Sequence, residues 1–123
     1  MSEVQKKNIT FICRHSPYGG SQARELLDAA LAGAAFDQNI SLLFMGAGVL
    51  QLVEQQNPST IEQKNLAKML SMLALYDVEN IFVHEQALEQ FGIEERQLLD
   101  VALIKNSLSI QEWLQEQDIC MSL

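Results

Sequence analysis

The residues of this chain able to do covalent chemistry are few and scattered. Two thiols, Cys13 and Cys120, stand near opposite ends, each inside an apolar run where cysteine behaves as a small hydrophobe. Nucleophilic chemistry at cysteine needs a thiolate, stabilised by a neighbouring cation or a helix N-terminus. Cys13, beside Arg14 at the expected carboxyl end of a strand, has the better setting, whereas Cys120 is expected to be buried in the last strand. His15, His84 and Glu85 lack the spacing of a metal-ligand pair, so no metal site is expected. There is no Gly-x-Ser-x-Gly, and no two carboxylates stand out as an acid–base pair. The turn Ser-Pro-Tyr-Gly-Gly-Ser at residues 16–21 leads into a helix N-terminus, a place that suits an anion. It is neither a Walker A loop nor a Gly-x-Gly-x-x-Gly, and it reads as a tight strand-to-helix connection. No cofactor is expected.

The elements that must position these residues alternate along the chain. Ile9-Thr-Phe-Ile-Cys13 reads as a buried strand, and the apolar residues from Ala23 to Ala34 then recur at helical spacing behind Ser21 as N-cap. Residues 40–45 form a second apolar strand, followed by a short helix over 49–55. A long helix runs from a capping box at Thr60-x-x-Gln63 to about Tyr76. Strands over residues 79–84 and 99–104 flank a short helix over 85–91 that Gly92 stops. A second capping box, Ser109-x-x-Glu112, opens a helix with Ile110, Trp113 and Leu114 in one stripe, and residues 118–123 form a terminal strand. This alternation implies an α/β fold: a five-stranded, mostly parallel sheet of flavodoxin-like order 2-1-3-4-5, with helices on both faces. In that order the ligand crevice lies between strands one and three, placing residues 14–21 beside His84 and Glu85.

The chain of 123 residues makes one domain, with residues 1–8 a polar N-terminal extension. That extension lacks the apolar middle of a signal peptide, and no apolar run approaches the roughly 18 residues of a membrane span, so the expectation is a cytoplasmic protein with reduced thiols. Sixteen acidic residues against eight basic ones give a net charge of −8. Phosphate binding draws on Lys and Arg, so direct nucleic-acid binding is not expected; a basic partner surface is favoured instead.

The helix segment from Leu66 to Leu75 departs from the amphipathic pattern. It is apolar nearly all round, and such a helix must be covered on more than one side. The extra cover is either a neighbouring loop or the short helix over 49–55, or another subunit; an exposed apolar patch favours the subunit, with Leu66, Met69, Met72, Leu75 and Tyr76 as candidate contact residues.

Three stretches together resemble one family: Gln22-Ala-Arg-Glu-Leu-Leu-Asp-Ala-Ala-Leu31 after the Gly-rich turn, Phe44-Met-Gly-Ala-Gly-Val-Leu-Gln-Leu52, and Leu73-Ala-Leu-Tyr-Asp-Val78. Their order and spacing are those of the TusC, or DsrF-type, branch of the DsrE/DsrF/DsrH-like proteins. The resemblance implies a flavodoxin-like DsrE fold and a heterohexamer with two copies each of TusB-like, TusC-like and TusD-like subunits. Such a complex relays persulfide sulfur from a TusA-like carrier to a TusE-like one, toward 2-thiolation of the tRNA wobble uridine. It also implies a reactive cysteine at the end of strand three in the sulfur-carrying sibling. The matching stretch here is Asn80-Ile-Phe-Val-His84, with Phe82 at or beside that position. A phenyl ring accepts no sulfur, so the expected role is that of a non-catalytic subunit. Two other roles compete with it: a small-ligand or anion-binding module using the turn at residues 16–21, and an active sulfurtransferase using Cys13.

Overall fold

A computed structural model describes residues 6–16, 21–53, 61–78 and 80–122, with only the helical backbone for 61–67. Five strands, β1 (Asn8–Cys13), β2 (Asn39–Phe44), β3 (Asn80–His84), β4 (Leu103–Lys105) and β5 (Ile119–Ser122), form one sheet of order β4-β3-β2-β1-β5. Every pairing is parallel. The helices are α1 (Gln22–Ala35), α2 (Ile61–Leu75), α3 (Glu85–Gln90) and α4 (Ser107–Gln115), with 3-10 turns at Gly46–Leu52 and Glu95–Gln97.

The class and the two-faced layering agree with the sequence, but the strand order does not. From β1 to β4 each strand is laid beside its predecessor in one direction, and only β5 returns to the far side of β1. Right-handed crossovers therefore place α1, α2 and α3 on one face and leave α4 alone on the other. The buried clusters follow this division. Leu26, Leu27 and Ala30 of α1, Leu70 and Leu73 of α2, and Ala87 and Leu88 of α3 pack on Phe11, Leu42, Phe44, Ile81 and Val83. Ile110, Trp113 and Leu114 of α4 pack on Ile12, Leu43 and Phe82. The reversal of strand order lies between β1 and β5, not between β1 and β3, and β2 separates residue 14 from His84. Periodicity identifies strands but carries no information about which neighbours they choose.

Smaller corrections have local causes. The helix expected over 49–55 is a 3-10 turn ending at Leu52. The fourth strand is shortened because Leu98 bridges Val53 and the Leu99 N–H donates to the Leu52 carbonyl, diverting residues 98–99 from the sheet. Ser109 is not a cap: α4 begins two residues earlier, and the Asn106 side chain accepts from the Ser109 N–H at 2.9 Å. A reciprocal capping box does exist, between Glu94 and Gln97. Ser21 occupies the N-cap position of α1 but bonds the Glu25 carboxylate at 3.0 Å rather than the backbone. Gly92 ends α3 with φ +65°, a conformation glycine adopts without strain. The capping box expected at residue 60 lies outside the described residues.

Candidate functional site

Phe82, which the resemblance puts at or beside the position of a sulfur-carrying thiol, takes part in an aromatic contact. Phe82, in the middle of β3, is 4 % exposed and meets the Trp113 ring edge-on, with centroids 4.8 Å apart at 74°. Lys105, from the edge strand β4, holds its Nζ 4.5 Å from the Phe82 centroid and 5.7 Å from that of Trp113. These three side chains come from β3, β4 and α4, the elements that make up this half of the lone-helix face. The arrangement is a cation over two rings, which stabilises packing and contains no thiol.

At the carboxyl end of β3, His84 Nε2 lies 2.8 Å from Ser107 Oγ, and Ser107 donates to Gln86 Oε1 at 3.0 Å. Sequence reasoning missed this contact, because Ser107 lies 23 residues from His84 and no motif joins them. A hydroxyl has one proton to give. With that proton directed to Gln86, the His84–Ser107 contact takes its direction from the imidazole tautomer. The trio is a polar clip fastening the start of α4 to the end of β3.

Cys13 ends β1 under α1 and is 2 % exposed. Burial pushes its thiol pKa far above the ordinary range, and the Arg14 side chain beside it lies in solvent. Cys120, expected to be buried, is exposed, because β5 is the edge strand outside β1 and all four of its residues face solvent. Of the turn at 16–21, residues 17–20 lie outside the described residues. Among the described residues, no cluster of His, Cys, Asp and Glu is placed to hold a metal ion.

The long helix α2 splits as its composition requires. Leu70 and Leu73 are fully buried and Met69 packs against the same core, while Met72, Leu75 and Tyr76 project outward. Leu75 is 83 % exposed, and Phe36, just beyond the end of α1, is 77 % exposed. The Leu66 side chain lies outside the described residues. No helix among the described residues is long and apolar enough to cross a membrane.

A single parallel sheet in this order, with three helices on one face and one on the other, is a fold shared with proteins of known structure. The crystal structure of the ychN protein from E. coli superposes with a TM-score of 0.82 at 20 % identity, covering 95 % of this chain and 99 % of that one. A protein of unknown function from Methanobacterium thermoautotrophicum superposes with a TM-score of 0.68 at 12 % identity. The sequence pattern of the DsrE/DsrF-like family matches residues 7–123, and the chain belongs to that family. Its relatives include the protein named TusC homolog of Pseudomonas aeruginosa, 33 % identical over 95 % of this chain and 98 % of that protein. The TusC homolog of Aliivibrio fischeri is 41 % identical over 92 % of this chain and 96 % of its own length.

Proposed function

We propose that this chain is a non-catalytic structural subunit of a cytoplasmic TusBCD-type sulfur-relay complex. With TusB-like and TusD-like subunits it forms the body through which persulfide sulfur passes from a TusA-like to a TusE-like carrier, toward 2-thiolation of tRNA wobble uridine. The observation that carries this reading is Phe82. In a chain similar to TusC homologs over nearly its whole length, the residue at or beside the expected sulfur position is a buried phenyl ring under Trp113. The buried, protonated state of Cys13 supports the same conclusion, since sulfur transfer needs an accessible thiolate. Partner subunits cover the outward residues of α2, Met72, Leu75 and Tyr76, along with Met69 and Leu66 of the same helix.

The test is a variant without thiols, Cys13→Ser with Cys120→Ser, in a strain that depends on this chain for tRNA thiolation. The expected result is an unchanged 2-thiouridine content, and its loss in a folded variant contradicts the non-catalytic reading. Met72→Glu, which buries a charge at the contact, is expected to release the chain from its partners while its melting temperature stays within a few degrees.

A further inference from the structure

In this parallel fold all helices end at the same side of the sheet, and three of those ends meet at one cavity. Asp37 follows α1, Asp77 follows α2 and Glu116 caps α4; all three line an open cavity of about 390 Å³ at the amino ends of β1, β2 and β3. A helix C-terminus carries partial negative charge, so a carboxylate there is unfavourable unless a cation offsets it. None of these helices has a basic residue in its last turn, and among the described residues Lys6 is the one cation on the cavity wall. Among the described residues the three carboxylates form no ion pair; the salt bridge found there, Arg96 with Glu94, lies elsewhere. At the floor, Ser41 is 4 % exposed, and its hydroxyl makes no hydrogen bond within the described residues. Trp113 and Tyr76 also line the cavity. A cavity with acidic ends, a free hydroxyl and aromatic lining residues selects a cation of the size of a guanidinium or alkylammonium group.

The surroundings identify its source. Tyr76 belongs both to the cavity and to the outward apolar residues of α2, and the exposed Phe36 and Leu75 directly precede the lining residues Asp37 and Tyr76. The chain as a whole carries −8. Resting on the reading that a sibling subunit covers this apolar surface, we infer that the same subunit inserts a lysine or arginine side chain into the Asp37–Asp77–Glu116 cavity. The apolar patch supplies contact area, and the buried cation fixes orientation and partner choice.

Asp37→Asn with Asp77→Asn tests this cleanly. Both residues sit at positive φ, 66° and 62°, where asparagine is well tolerated, so the change removes charge and leaves the backbone alone. The full chain is co-expressed with its sibling subunits, and the dissociation constant of the complex is measured from about 50 to about 500 mM salt. The double variant is expected to bind about tenfold more weakly at low salt and to show a flatter salt dependence. Affinity within twofold of the parent with an unchanged slope overturns the inference. If Met72→Glu abolishes assembly while the double variant is silent, the apolar interface stands and only the cation site falls. If Met72→Glu is also silent, the interface reading falls and takes the cation site with it. Should the double variant melt markedly lower, Glu116→Gln at the α4 C-cap gives the same readout on a third wall of the cavity: weaker, flatter binding supports the site, and parental binding overturns it.

Discussion

At the scale of single residues, the two cysteines divide by strand position. Cys13 is on a central strand beneath α1, and Cys120 is on the edge strand. A disulfide-exchange reagent should titrate one thiol quickly in the native protein and the second only on unfolding, and Cys120→Ser should abolish the fast phase. Two fast thiols would mean that β1 is not covered as described. The buried thiol also leaves a signature in stability. The native state holds the Cys13 proton while the unfolded chain releases it above about pH 8.5, so unfolding becomes more favourable as pH rises past that value. Stability from this group is complete below that pH and falls above it, by up to about 1.4 kcal/mol per pH unit. Chemical denaturation between pH 8 and pH ~10 should show a steeper loss for the parent than for Cys13→Ala. Equal slopes would contradict the burial. The sequence displayed the thiols but not their exposure. Arg14 looked like a stabilising neighbour because adjacency along a strand is visible, whereas the alternation that sends adjacent side chains to opposite faces must be placed in a sheet first.

At the scale of elements, the 3-10 turn Gly46–Leu52 is pressed against the end of β1. Met45 N–H donates to the Cys13 carbonyl at 3.0 Å, and a Cβ on Gly48 would come within 1.9 Å of that same carbonyl oxygen. Backbone cannot yield as a flexible side chain does, so Gly48→Ala should cost about 3 kcal/mol or more of unfolding free energy. A loss below about 0.5 kcal/mol would show the contact to be slack. On the other face, Phe82→Ala removes the ring on which Trp113 and Lys105 rest and should cost about 3–5 kcal/mol, read by denaturant titration. Element types were legible because β-branched runs and helical spacing are local signals, and Ile110, Trp113 and Leu114 form the contact their stripe suggested. The missed features are non-local. Val53 and Leu98 bridge two loops, and Asn106 caps α4 ahead of a serine whose sequence pattern matched a capping box better.

At the scale of the whole molecule, strand order decides where a site can form. An order of 2-1-3-4-5 places a crevice between β1 and β3, beside His84; the observed order moves the reversal to β1 and β5 and leaves His84 clipped to Ser107. What the fold offers instead is surface. Outward apolar residues at the ends of α1 and α2 adjoin an acidic cavity, on a chain whose net charge is −8. The overabundance of apolar residues in α2 was readable from sequence, but the convergence of three helix ends on that cavity was not, because residues 37, 77 and 116 share no spacing. Such a surface fits a subunit whose contribution is to hold others in place. The most direct measurement is native mass spectrometry of this chain co-expressed with TusB-like and TusD-like subunits. The expected result is a hetero-oligomer with two copies of each subunit, lost on Met72→Glu. A stable lone monomer beside an assembled pair of siblings would contradict it.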